Sequence, residues 1–282
     1  MKAKLKISPF LVFFHLVVIL IVLVNFPFGK FFIGWDALNP EFNFKFNFIR
    51  ALTSSWQENF GTGTFSGHGI AATLPHTAIT YLFSLFLPLN AIRPLFTFFA
   101  FYLGGLGIYF LIKNILERLS NAQDKPRWAT QMAALVGSLF YLLNLGTIQT
   151  FYIQLEPFIV HFAALPWLFL ISIKLMEGLT RRKIFLFLLI NLLASIQGFI
   201  PPLFVAYFLA ISIFLFIEVI KHKLSPSFVK RGLVILLLTI AINAYWIFPL
   251  GYYSLTRNQT YLNSYNNLYS TPEFISKNNK YG

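Results

Sequence analysis

Long apolar stretches alternate with short polar ones along the chain, and the apolar stretches set the architecture. Runs dense in Leu, Ile, Val and Phe cover about 9–28, 94–113, 131–147, 158–176, 183–199, 201–220 and 231–250. Each is close to the roughly 20 residues an α-helix needs to cross a hydrocarbon core ~30 Å thick. The pattern predicts an all-α fold, a polytopic transmembrane helical bundle of about seven spans. One further apolar stretch, His76 to Pro88, is short for a crossing. It reads as a helix lying at the membrane surface or dipping back out. An amphipathic companion helix is expected from about Phe46 to Phe60. Both fall in a long outer loop, about 29–93, that follows the first span.

Gly and Pro place the tightest turn. Ser195-Ile196-Gln197-Gly198-Phe199-Ile200-Pro201-Pro202 joins the fifth and sixth spans, and a turn this short needs both residue types. It sets Gln197 at or below the outer surface. Residues 1–250 form one transmembrane domain in this reading. Residues 251–282 turn abruptly polar, rich in Asn and Tyr, and read as the start of an extracytoplasmic segment; the chain is expected to be the N-terminal part of a longer protein. No internal repeat of the kind many secondary transporters carry is visible.

Charge then orients the bundle. Hydrophobic residues make up 57% of the chain and charged ones 11%, against roughly a quarter charged in ordinary globular proteins. The net charge of +13 would suggest nucleic acid in a soluble protein. Here it is gathered into short clusters between apolar runs, so no nucleic-acid partner is expected. Lys2, Lys4 and Lys6 precede the first span; Lys113, Arg118, Lys125 and Arg127 follow the second. Lys174, Arg181, Arg182 and Lys183 lie between the fourth and fifth, and Lys221, Lys223, Lys230 and Arg231 between the sixth and seventh. These are 15 of the 22 basic residues, all on one side if there are seven spans. The positive-inside rule makes that side the cytoplasm, with the N-terminus inside and the tail outside. Met1 to Phe28 reads as a retained signal anchor, since the apolar stretch is longer than a usual signal-peptide core and no small-residue cleavage site follows. Cysteine is absent, which excludes disulfides and thiolate metal sites.

Acids are scarce, so their positions carry information. Of nine, Glu117, Asp124, Glu177 and Glu218 lie among the cytoplasmic lysines and arginines and read as solvated loop charges. Asp36, Glu41 and Glu156 are on the outer side near the ends of spans. Asp36 and Glu41 flank Pro40, which disfavours helix at Asn39, so both are expected on irregular backbone. There they either converge on an acid/base or metal pocket or brace the loop. A carboxylate near a low-dielectric boundary is pushed toward the pKa of a general base. Trp35 beside them suits the interface. The Gly-rich stretch 61–69 is no phosphate-binding P-loop, because no Gly-Lys-Ser/Thr follows. His68 and His76 are candidates to contact a phosphate or a metal, against the plainer role of structural loop histidines. Gln149, Tyr152, Gln154 and Glu156 sit at the mouth of the third and fourth spans, with His161 one turn inside. Polar groups at that depth mark either a site or helix–helix hydrogen bonding.

The stretch Gly34-Trp35-Asp36…Asn39-Pro40-Glu41-Phe42, with Tyr141-Leu142-Leu143-Asn144-Leu145-Gly146-Thr147 and Glu156-Pro157-Phe158, resembles the GT-C superfamily of membrane glycosyltransferases. Within it the similarity is to the N-terminal region of mycobacterial-type α-(1→3)-arabinofuranosyltransferases and related large bacterial membrane proteins. The paired acids of many members are adjacent or nearly so, whereas here they are five apart. The resemblance implies a bacterial plasma-membrane enzyme that moves a sugar from a polyprenyl-phosphate donor to a cell-envelope glycan acceptor on the outer face. Asp36 matches the first-loop carboxylate that acts as base, with Glu41 as its partner. Arg50, Arg93, His68 and His76 are the groups available to a leaving phosphate; Trp35, Gln154, Glu156 and Gln197 complete the expected substrate contacts. Some members use a divalent metal ion, and no ligand spacing here demands one. Two other readings fit the same pattern: a flippase- or transporter-like subunit for lipid-linked glycans, and a non-catalytic scaffold with the GT-C fold. A flippase would set its polar groups at mid-membrane, and here they cluster at outer span ends.

Overall fold

The computed structural model describes residues 8–33, 42–53, 56–57, 64–65, 67–119, 126–153 and 155–256. The helices are α1 (Pro9–Asn25), α2 (Phe44–Thr53), α3 (Gly67–Ala72), α4 (Leu74–Ser84), α5 (Leu89–Leu119), α6 (Arg127–Leu143), α7 (Leu145–Ile153), α8 (Glu156–Glu177), α9 (Arg181–Leu193), α10 (Pro201–Lys221) and α11 (Pro226–Thr256). A 3₁₀ turn covers Ser195–Phe199, and one two-residue antiparallel ladder pairs Trp56 with Phe65 and Gln57 with Thr64.

Each apolar stretch forms helix, for a local reason that can be named. Proline stands at the start of α1, α4, α8 and α10, where its missing N–H is an orphan donor in any case. Thr180 caps α9, its hydroxyl accepting from the Lys183 amide. Among the described residues, α5, α8, α10 and α11 are each long and apolar enough to cross a membrane, and α6 with α7 makes a fifth if the bent pair counts as one. The wide exposed band of Val12, Phe13, Leu16, Leu20 and Val24 on α1 suits lipid rather than water.

Four boundaries differ from the sequence reading. The expected span 131–147 is broken: α6 and α7 meet at 47° at Asn144. The Asn144 side chain donates to the carbonyls of Phe140 and Tyr141 and accepts from the Thr147 amide, so it ends one helix and caps the next. The amphipathic companion helix stops at Thr53 instead of reaching Phe60. Thr53 turns its hydroxyl back onto the Ile49 carbonyl, where it competes with the helix ladder. Helix α5 starts at Leu89, taking Pro94 into its second turn, and α11 continues past 250 to Thr256. The stretch 76–88 forms the eleven-residue α4, roughly 16 Å long and too short to cross.

Helix α5 is the hub of the first half. Glycines let its neighbours approach: a Cβ at Gly105 would meet Leu142 of α6 at 2.9 Å, one at Gly107 would meet Pro166 of α8 at 2.9 Å, and one at Gly104 would run into Phe162 of α8. Small residues at such contacts let helix backbones pack closely where lipid supplies no hydrophobic drive. Polar atoms cross the same seams. Ser138 donates to the Gly105 carbonyl at 2.6 Å, Trp167 to the Leu103 carbonyl at 2.9 Å and Tyr141 to the Phe162 carbonyl at 2.9 Å. Helix α1 is held through Ser8 to Gln131 and through His15, whose Nε2 accepts from Tyr102. One buried cluster joins α1, α5 and α6 with Phe162; a second joins α8, α9, α10 and α11 around Trp246, Tyr207 and Phe187.

The two ends of the bundle differ in chemistry. At the Arg118 end, that guanidinium lies 3.6 Å from Glu177 and 3.8 Å from Glu218, while Arg231 donates to the Met176 carbonyl at 2.6 Å. This ties α5, α8, α10 and α11 together. At the other end, α3 packs against α11 and the 3₁₀ turn, and α2 lies on α4.

Candidate functional site

At the end of the bundle opposite Arg118, one of the chain's nine acids meets an arginine. Glu156 is the first residue of α8, where the helix dipole favours an anion. Arg93 stands in the second turn of α5. Its Nε and Nη2 both reach Glu156 Oε1, at 2.7 and 2.6 Å, and its Nη1 donates to the Phe32 carbonyl at 3.0 Å. One guanidinium thus pins together the start of α8, the start of α5 and the chain just after α1. Arg93 is buried, and the Glu156 side chain keeps 23% of its exposure.

His76 on α4 completes the group. Its ring meets Phe96 of α5 edge-on, with centroids 4.7 Å apart. Burial lowers its pKa from the ordinary 6.5; the Glu156 carboxylate opposes that shift and the Arg93 guanidinium adds to it. The ring is therefore neutral at neutral pH, able to donate one hydrogen bond and accept another. A base whose folded pKa is depressed stabilises the fold above its unfolded pKa. That contribution is lost as pH falls below about 6.5, by at most about 1.4 kcal/mol per pH unit. Replacing His76 with Gln is expected to flatten the acid limb of a thermal-stability profile between pH 7 and 5. A limb as steep as that of the unmodified chain would assign the acid sensitivity elsewhere.

An apolar groove of about 470 Å³ opens beside this cluster, between Ile21 and Asn25 of α1, Phe98 and Phe101 of α5, Phe151 of α7, and Phe32. The bend at Asn144 turns α7 across the end of α6 and so forms its far wall. Phe32 belongs to both features: its residue lines the groove and its carbonyl receives Arg93.

The other expected site residues divide as follows. Arg50 on α2 is 4% exposed, with its guanidinium 4.8 Å from the Phe46 ring centroid. Gln197 is buried in the 3₁₀ turn and accepts from His161 Nδ1 at 2.8 Å. His68 falls within α3, and its side chain lies outside the described residues, as do Trp35, Asp36, Glu41 and Gln154. Among the described residues no three His, Asp or Glu side chains converge in a metal-ligand group. Sequence reasoning picked out Arg93, Glu156 and His76 singly. It missed the Phe32 carbonyl, a backbone atom that no residue type announces, and the groove, which exists only because α6 and α7 bend. Comparison of the chain with protein-family models, with curated proteins and with solved structures returned no match.

Proposed function

We propose that the chain is a membrane glycosyltransferase that moves a sugar from a polyprenyl-phosphate donor to a glycan acceptor on the outer face of the bacterial plasma membrane. One observation carries the reading. A lipid-sized apolar groove adjoins a charged cluster at the polar end of the bundle, and both share Phe32, four residues before Asp36 in the chain. A ligand with a hydrocarbon tail and a polar head suits such a junction. In this reading the tail lies along the groove. Asp36 takes the proton of an acceptor hydroxyl, whose oxygen attacks the anomeric carbon. The bond from that carbon to the phosphate oxygen breaks, and polyprenyl phosphate leaves. Arg93 acts as a brace for the loop that carries Asp36, since its Nε, Nη1 and Nη2 are all engaged with Glu156 and Phe32. His76, neutral and beside them, offers the acceptor or the leaving oxygen a hydrogen bond.

The topology proposed with it has seven spans, the N-terminus and the 15 clustered basic residues in the cytoplasm, and the Asp36 loop outside. Length bears on the two shortest crossings. Helix α1 with its 17 residues is about 26 Å long and α9 with its 13 about 20 Å, so α9 needs part of the following turn to complete a crossing. Because the chain has no cysteine, single-cysteine labelling is clean. Cysteines at Leu74 and Asn90 are both expected to react with an impermeant reagent added from outside; reaction of only one would mean that α4 crosses. The function is tested by supplying the purified full-length protein in nanodiscs with a radiolabelled polyprenyl-phosphate sugar and a glycan acceptor. Label is expected in the acceptor. Donor binding without transfer would move the reading to a carrier of lipid-linked glycans.

A further inference from the structure

The Arg118 end of the bundle carries more cations than its acids can pair. Each described acid there is already engaged. Glu117 lies 3.9 Å from Lys113, Glu177 lies 3.6 Å from Arg118 and 3.7 Å from Lys174, and Glu218 lies 3.8 Å from Arg118 and 3.3 Å from Lys221. Two further cations close the end of α8. Lys183 of α9 donates to the carbonyls of Lys174 and Gly178 at 2.7 and 3.0 Å, and Arg231 of α11 donates to those of Met176 and Glu177 at 2.6 and 3.2 Å. Both reach the same stretch, 174–178, so the first turn of α9 and the second turn of α11 meet there. Their sequence neighbours Arg181, Arg182 and Lys230 are exposed, and among the described residues none pairs with any of the three side chains. Neither α9 nor α11 has an acid in its first turn, where the helix dipole disfavours cations. Apolar stripes run on from these cations. On α9, Phe185, Leu186 and Leu189 follow Arg182 at spacings that share one helix face; on α11, Leu233 and Leu237 follow Lys230 in the same way. All five are exposed, and α9 packs against α11.

We propose that Arg181, Arg182 and Lys230 form a binding site for an anionic phospholipid, its phosphodiester held by the three cations and its acyl chains lying on the stripes beside them. Charge selects the class. A zwitterionic headgroup brings an ammonium that the cluster repels, whereas a phosphodiester bearing only hydroxyls brings none. Guanidinium groups suit the phosphate, because their forked N–H donors match its oxygens in pairs. The stripes select a lipid over a soluble anion, since only a ligand with hydrocarbon chains gains from them. The positive bias of the whole end serves topology, but topology asks only that cations lie on one side. It does not ask that three of them stay unpaired where α9 meets α11, in line with exposed apolar faces. In the proposed topology the site lies in the inner leaflet. It rests on the chain being embedded in a membrane and not on the transferase reading.

The test is native mass spectrometry of the full-length protein, released from detergent and titrated with palmitoyl-oleoyl phosphatidylglycerol, with the matching phosphatidylcholine, and with the headgroup fragment glycerophosphoglycerol. The first phosphatidylglycerol is expected to bind about tenfold or more tighter than the first phosphatidylcholine, and the fragment is expected not to displace it. Arg181→Gln with Arg182→Gln is expected to lower that affinity about tenfold or more, and Lys230→Gln alone about fivefold. Arg181→Lys with Arg182→Lys keeps the charge and is expected to retain most of the binding. Lys113→Gln with Arg127→Gln removes two cations from α5 and α6 at the same end and is expected to leave the affinity unchanged. Equal affinity for the two lipids, or an equal loss in the two double Gln variants, would overturn the proposal; the second result would mean a diffuse field rather than a site. Binding of the fragment as tightly as the whole lipid would also overturn it, leaving a site for soluble anions. If the Arg181→Gln, Arg182→Gln chain does not fold, Lys230→Gln and the three titrations of the unmodified chain still decide. Sugar transfer without a preference for phosphatidylglycerol sinks this site alone, and the preference without transfer sinks the transferase reading alone.

Discussion

Replacing Asp36 with Asn is expected to lower sugar transfer by about 10²–10⁴-fold and to leave expression, fold and lipid binding unchanged. Asn keeps the size and the hydrogen-bonding reach of Asp and removes the carboxylate that takes the acceptor proton. Three features motivate the choice. Asp36 is one of very few acids expected on the outer face, and it follows the first apolar stretch by eight residues in the sequence, where the proposed topology puts the lipid headgroups. It also follows Phe32 by four residues, and Arg93 fixes the Phe32 carbonyl at 3.0 Å beside the groove. Glu41→Gln separates two roles for the second acid. A smaller loss means that Glu41 only positions the acceptor, and an equal loss means that it helps to hold a metal ion. The measurement is turnover of a radiolabelled polyprenyl-phosphate sugar by the full-length protein. Full activity in Asp36→Asn would refute the assignment and shift weight to a carrier or a scaffold.

The second large effect is on stability. Arg93→Met strands the Glu156 carboxylate, and breaking a fully buried pair from one side costs about 3–5 kcal/mol. Glu156 retains 23% side-chain exposure, so water recovers part of that loss. A cost of roughly 2–3 kcal/mol is expected. Glu156→Leu leaves the guanidinium with the Phe32 carbonyl and loses the anion at the start of α8, at similar cost. Combining the two substitutes an apolar contact for a charged one, and most of the stability is expected to return. Denaturant or thermal melts of the four proteins in nanodiscs give the coupling directly. If the double variant is as unstable as the sum of the single ones, the pair is not what joins α5 to α8 at this end.

Sequence carried the helices well and their junctions poorly, and the physics of each case says why. An apolar run of bilayer length leaves the backbone little choice but helix, which is why all seven stretches are helical. The break at Asn144 depends on one side chain serving two helices. The Asn144-Leu145-Gly146-Thr147 tetrad carries a recognisable cap signal, since Thr147 is the third residue after the Asn that accepts its amide. The end of α2 at Thr53 turned on hydroxyl competition that an amphipathic pattern does not register. At the candidate site, the rarity of acids selected Glu156 and the family resemblance selected Arg93, but neither paired them, because they stand 63 positions apart. His161 and Gln197, 36 apart, were legible as polar groups at depth. Their pairing appears only in three dimensions.

The two larger of the three buried clusters also bear on the order of biogenesis. The first cluster draws on α1, α5, α6 and, from later in the chain, Phe162 of α8. Everything it needs has been synthesised once α8 leaves the ribosome. The second cluster waits for α10 and α11. A nascent chain therefore holds a closed amino-terminal half while α8 still shows an uncovered flank to lipid, and domains that form early in this way are completed before the rest has emerged. Helix α8 is the template on which the carboxy-terminal half assembles.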